Sequence, residues 1–164
     1  MVNLDIGEAP GAAEMLLQLV NRERVSAGLG ALESRGAIVT IASGQSHAMA
    51  ARGDIWHNEA YLTSSTRSSL GAGAMGENVA TNGSVDDAHR RLMASPGHRS
   101  NILDGRFDAV GISVVHDNNG RLFITQDFVD SKPAPRAAPS PRRRPGIKHY
   151  RPRPSKPRVS TTRR

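Results

Sequence analysis

Between Ala12 and Ala27 the apolar residues recur at helical spacing. Met15, Leu16, Leu19 and Val20 share one stripe and Gln18, Arg22 and Glu23 the other, which predicts an amphipathic helix closed at Gly28-Leu29-Gly30. A second helix is expected over Gly36 to Arg52, with Ile38, Ile41, Ala42, Gln45, Ala48 and Met49 in phase and Gly53 placed to stop it. Tyr61 to Gly76 is rich in Ser, Thr and Gly and reads as a surface loop. Ser84 followed by Asp86 and Asp87 marks a third helix start, running to Ala94, where Ser95-Pro96-Gly97 breaks it. Beyond that point the period turns to alternation. Val110 to Val115 and Arg121 to Phe128 are two runs rich in Val, Ile and Phe, joined by Asp117-Asn118-Asn119-Gly120, a hairpin signal. Three helices and a terminal hairpin make an α+β domain the expected fold class.

Charge divides the chain. Met1 to Asp130 holds 10 Arg and no Lys against all 15 acids, a net −5, whereas Ser131 to Arg164 holds 12 Lys plus Arg and no acid. That last stretch also carries eight of the ten prolines and little to bury, so it cannot offset the entropy of ordering. The expected organisation is an N-terminal lead (residues 1–11), a domain (12–130) and a disordered basic Pro/Arg-rich tail (131–164). With no Cys there is no disulfide framework, thiolate metal site or cysteine nucleophile. No run approaches the ~20 apolar residues of a membrane span. Met1 to Pro10 has two acids and no basic cluster ahead of an apolar stretch, so no signal peptide is expected there.

Candidate chemistry centres on histidines. His57, in Trp56-His57-Asn58-Glu59, and His98, after Pro96-Gly97, fall at element ends, where a scaffold can aim side chains into a shared cleft. Glu77, in Gly76-Glu77-Asn78-Val79-Ala80, places a carboxylate among small and apolar residues, where it needs a partner if buried. Their spacing matches no compact metal motif, and three polar residues satisfying one another in a cleft wall is an equal reading. His47 reads as a helix-surface or core-edge residue, His89 as solvated on a charged helix face, His116 as a turn residue and His149 as part of the tail. There is no Gly-x-Ser-x-Gly nucleophile motif.

The order of Asn21-Arg22-Glu23-Arg24 with Gly28-Leu29, His57 beyond the second helix, Gly76-Glu77-Asn78, Ser95-Pro96-Gly97-His98-Arg99-Ser100-Asn101-Ile102-Leu103, Val110-Gly111-Ile112 and Thr125-Gln126-Asp127-Phe128 closely resembles the bacterial branch of the CAP superfamily. That superfamily groups cysteine-rich secretory, antigen 5 and pathogenesis-related proteins, and the resemblance covers Ala12 to Phe128. It implies a three-layer α-β-α sandwich with a small antiparallel sheet around a cavity lined by histidine and glutamate. His57, Glu77 and His98 would be the ligand-binding and metal-ligating residues, for zinc or another divalent metal. Asn78 and Gln126 would support them by hydrogen bonds to backbone or to the cavity histidines, and Pro96 and Gly97 would shape the turn that delivers His98. Arg99 reads by default as a surface ion-pair residue. The chain departs from the family pattern at the fourth cavity position, for which Glu59 is a candidate only by its nearness to His57. It departs again at the tryptophan usually found on the third helix, replaced around His89 to Met93.

The function so implied is a non-enzymatic binding module, a monomer taking a small apolar or peptide ligand and a divalent metal, secreted or held at the cell envelope. The alternative is a metal-dependent hydrolase of peptides or cell-wall material with Glu77 as general base. For the tail, Pro-Arg repeats favour extended polyproline II, and the expected partner is an anionic polymer: cell wall, lipid surface or nucleic acid.

Overall fold

The computed structural model describes residues 6–131. The tail expected over 131–164 therefore lies, apart from its first residue, outside the described residues. The elements in chain order are β1 (Gly7–Glu8), α1 (Ala12–Ser26), β2 (Glu33–Ser34), α2 (Gly36–Arg52), α3 (Ser64–Leu70), β3 (Met75–Asn82), α4 (Val85–Ala94), α5 (Pro96–Ile102), β4 (Ala109–His116) and β5 (Leu122–Val129). The strands form one five-stranded sheet in the order β1-β4-β5-β3, with β2 pairing in parallel to the other end of β4 and every other pairing antiparallel.

The chain is α+β in three layers, as expected. On one face α1, α4 and α5 bury Leu16, Leu19, Val20, Val85, Ala88, Leu92 and Ile102 against Val110, Ile112, Val114, Ile124 and Phe128. On the other, Ile38, Met49 and Ala50 of α2 meet Ala109, Val115, Phe123 and Val129. The alternation of β4 and β5 is thus between two covered faces, and every residue from Phe123 to Val129 is buried.

The predicted elements stand with small changes. α2 ends where Gly53 adopts a left-handed φ of 75°. The Ser84 hydroxyl accepts from the Asp87 amide at 3.2 Å, capping α4. In the hairpin turn the Asp117 carboxylate accepts from the amides of Asn119 and Arg121, both at 2.9 Å, and Gly120 supplies the positive φ. Met15, expected on the buried stripe of α1, is 48% exposed, and Ala48 on α2 is exposed too. Helix phase places Ser46 in the interior instead, where its hydroxyl donates to Thr125 Oγ1 at 2.9 Å.

Three expectations need correction. Tyr61 to Gly76 is not a surface loop: it contains α3, capped by Thr63, and the start of β3. Tyr61 itself is buried and donates its hydroxyl to the Phe128 carbonyl at 2.7 Å. Ser95-Pro96-Gly97 ends α4 but does not leave the chain irregular, because Pro96 occupies the first turn of α5, where a missing N–H is no loss. His89 is not solvated. It is 6% exposed beside Val85, Ala88 and Leu92, and burial lowers its pKa more than the neighbouring Glu23 raises it.

Candidate functional site

β3 is the edge strand that carries the site. Its side chains alternate: Glu77 and Val79 point toward the α2 layer, Asn78 and Ala80 toward α4 and α5. Glu77 is completely enclosed, with a side-chain exposure of 0%. Its Oε1 accepts from the Asn58 amide and pairs with His57 Nδ1, both at 2.8 Å. A carboxylate facing Nδ1 holds the proton there, so the neutral ring presents Nε2 as an acceptor. The His57 side chain is 55% exposed, an aimed imidazole whose support is buried and whose tip is open. It lines a shallow cavity of about 420 Å³ with Gln45, Trp56, Asn58 and Glu59.

His98 is half-buried in the first turn of α5, and its pKa is lowered first by burial and then by the nearby His57. The turn is tied to β3 through side-chain amides. Asn78 Nδ2 donates to the His98 carbonyl at 3.1 Å and to Gln126 Oε1 at 3.0 Å. Asn101 Nδ2 donates to Asn78 Oδ1 at 2.9 Å and to the Glu77 carbonyl at 3.1 Å. Asn78 thus reaches His98 through the backbone. Gln126 touches neither histidine; it braces Asn78, and its own Nε2 is buried without a hydrogen-bond partner among the described residues.

One residue of the site escaped the sequence reading. Asp127 lies directly across the ladder from Glu77, and the next residue in that row, on β4, is Gly111. Its carboxyl is wholly buried, no nearby side chain or backbone N–H donates to it, and burial together with the Glu77 charge pushes its pKa from 3.8 up to about 9. The shift favours the protonated form of Asp127 at neutral pH, beside the Glu77 carboxylate. Two acids beneath one histidine form a stacked arrangement that the strand register builds and no local motif announces.

The other histidines stand apart. His47 Nδ1 meets the Ser43 carbonyl at 2.9 Å and the Glu8 carboxylate at 3.8 Å, while His116 ends β4. Glu59 is exposed in the His57 cavity wall and makes no hydrogen bond or ion pair among the described residues. Arg99, for which a surface ion pair was expected, is exposed and forms none among the described residues. Two imidazoles and a carboxylate are a donor set that suits a borderline cation such as zinc. His57 and Glu77 are in direct contact, and among the described residues no group of three or more His, Asp or Glu side chains is placed to hold a metal ion. The His57 nitrogen nearest Glu77 is already engaged with it.

The site thus combines a three-layer sandwich, a His–Glu pair on the edge strand β3 and a second histidine on α5, the second helix after that strand. Residues 17–128 match the family described as CAP, cysteine-rich secretory protein family, and the chain belongs to that family. Among solved structures it is similar to an extracellular protein containing an SCP domain from Bacillus anthracis, at 26% identity and a TM-score of 0.62 over 73% of this chain and 40% of that one. It is also similar to a cysteine-rich secretory protein from Staphylococcus aureus (23% identity, TM-score 0.62, covering 74% of this chain and 38% of that one). A third is an outer surface protein of Borrelia burgdorferi (15% identity, TM-score 0.65, covering 73% and 92%). The chain therefore spans well under half of the Bacillus and Staphylococcus proteins. No curated protein matches it by sequence. No described helix is long and apolar enough to cross a membrane.

Proposed function

We propose that the domain is a binding module whose ligand, a small apolar or peptide molecule, is met by His57 and His98, with Glu77 as a positioning residue. The observation that carries this reading is the inequality within the pair: the imidazole is open to solvent and the carboxylate beneath it is sealed. A general base has to reach its water, and Glu77 spends Oε1 on two donors while Oε2 is buried. That favours binding over the hydrolase alternative. A divalent metal, which the family resemblance implies at His57, Glu77 and His98, is kept as a proposal and tested by zinc titration. A relative described as extracellular supports placing the module outside the cell or at the envelope. The basic tail is proposed to tether it to an anionic polymer, a role that fails if removal of residues 131–164 leaves low-salt binding to DNA and to cell-wall polymer unchanged.

The test pairs binding with turnover. In an NMR screen against a mixed library of short peptides and small apolar fragments, ligands are expected to move the His57 and His98 ring signals, and His57→Ala is expected to weaken them about tenfold. The same samples, with peptides and cell-wall fragments as substrates, are expected to show no hydrolysis. Turnover by the parent that vanishes in Glu77→Gln would overturn the binding reading in favour of catalysis. Zinc titrated into the parent, His57→Ala and His98→Ala tests the metal: weaker binding by both variants supports a site at the two imidazoles, and equal affinity in all three would remove it.

A further inference from the structure

The free edge of β3 carries an inference that deepens this reading and rests on it only for its location beside His98. Which backbone groups of β3 face outward follows from its neighbours. The Arg35 amide donates to the Val110 carbonyl at 3.0 Å, so Val110 faces away from β5, and its ladder partner Phe128 turns its own amide and carbonyl toward β3. Gly76, opposite Phe128, is then bonded inward, as are Asn78 and Ala80. Glu77, Val79 and Thr81 direct N–H and C=O outward. At Glu77 the outward carbonyl is closed by Asn101. Among the described residues no hydrogen bond from another element or side chain reaches the outward groups of Val79 and Thr81, and β3 has no second strand partner.

This stretch does not face bulk solvent on a flat edge: Val79 is buried, and Ala80 to Asn82 are partly exposed. It forms one side of a groove of about 250 Å³, whose other walls include Ile55, Leu92 and Arg91 and whose head is His98. Unpaired backbone groups beside apolar walls present the pattern an added strand satisfies: main-chain bonds supply affinity and the walls select side chains. Arg91 lines the groove, is exposed, and forms no ion pair among the described residues. Its charge lacks a counter-ion at a position where a bound chain would pass.

We propose that the β3 edge from Val79 to Thr81 takes an extended peptide as an added strand, with an acidic side chain of that peptide set against Arg91. The occupant is therefore a peptide segment of alternating apolar residues and at least one Asp or Glu, running toward His98.

The probe is a fluorescein-labelled, end-blocked pentapeptide of sequence Thr-Val-Asp-Val-Thr, measured by anisotropy and by amide shifts in the NMR spectrum of the full chain. The expected result is binding with the largest shifts at Val79 and Thr81. Methylating alternate backbone nitrogens of the peptide, which leaves the protein untouched, is expected to weaken it about tenfold or more. Replacing its Asp by Lys is expected to weaken it several-fold, and Arg91→Glu to reverse that preference. Equal binding of the methylated and unmethylated peptides, shifts confined to other elements, or no binding at all would overturn the proposal. Arg91→Glu failing to change the Asp-over-Lys preference would overturn its charge component. The two readings separate cleanly: strand-type peptide binding at β3 in a protein whose His57 and His98 signals no library ligand moves would retain the edge and reject the His57 site, whereas fragments that move His57 and His98 without any peptide at β3 would do the reverse.

Discussion

On the face of the sheet turned to α1, α4 and α5, the central strands offer Val110, Ile112, Val114, Ile124 and Phe128 around one amide, Gln126; on the face turned to α2, the same strands offer Gly111, Ser113, Thr125 and Asp127 between apolar ends. Both faces are buried. The first buries hydrocarbon, which contributes stability roughly in proportion to area. The second buries a glycine, two hydroxyls and an acid, groups that contribute little unless their hydrogen bonds are met. Side chains of alternate residues on one strand are thus put to different uses, and the polar row of the second face is the one that runs out under His57. The difference teaches that the site here is the edge of a polar layer inside the core, held in place by an apolar layer on the other side.

The largest effect is expected on the apolar side. Arg24, 1% exposed, donates to the carbonyls of Gly30, Ile102, Asp104 and Phe107 at 2.8 to 3.0 Å, fastening α1 to the segments that bring α5 and β4 into place. Arg24→Met fills the space but orphans four acceptors, and a loss of about 4 kcal/mol is expected in urea unfolding. If this face is what holds the site, the His57 signals should shift along with the loss of stability, although Arg24 touches no site residue. Next comes Gly111. A Cβ there would lie 2.3 Å from the Ile38 carbonyl carbon and 2.5 Å from the Val39 amide, atoms of helix backbone that cannot step aside alone. Gly111→Ala is expected to lower stability by about 3 kcal/mol and to displace α2 from the polar row. A change within about 0.5 kcal/mol would show that α2 is not seated as tightly as its contact implies.

Legibility in the sequence followed the same division. α1, α2 and α4 each present one apolar stripe at helical spacing, and β4 and β5 are rich in β-branched and aromatic residues around an Asn-Gly turn, so local rules suffice. β3 was missed because Gly76-Glu77-Asn78 puts polar residues on both faces, which erases the alternation that marks a strand. α5 was missed because Pro96-Gly97 reads as a breaker, although a proline is at home in a first turn. His57, Glu77 and His98 were visible as unusual residues in a resembling order, and the structure joins the first two directly. Asp127 carried no signal, since its partner is chosen by strand register between distant segments. His89 did carry one: it is in phase with Val85, Ala88 and Leu92, a stripe outweighed in the reading by the charges around it.

The smallest expected effects give the sharpest comparison, because the two faces titrate with opposite sign. His89, under the apolar layer, has a folded pKa below its ordinary 6.5, set by burial against the opposing pull of Glu23 and Asp86, with Arg22 adding to the depression. The unfolded chain therefore takes up a proton first as pH falls, so stability is complete above about 6.5 and declines below it. Asp127, in the polar layer, has a folded pKa raised to about 9 from 3.8. There the unfolded chain loses its proton first, so stability is complete below about 4 and declines as pH rises toward 9. Asp127→Asn keeps the shape and can donate to Glu77 without a titrating proton, so it is expected to exceed the parent by about 1–3 kcal/mol at pH 8, with the gap narrowing as pH falls toward 4. His89→Leu is expected to flatten only the acid limb, removing the decline in stability below about pH 6.5. Thermal unfolding from pH 4 to 9 reads both variants in one series. An Asp127→Asn curve parallel to the parent over that range would mean that the acid is ionised when folded, and the polar layer would then have to hold two negative charges side by side.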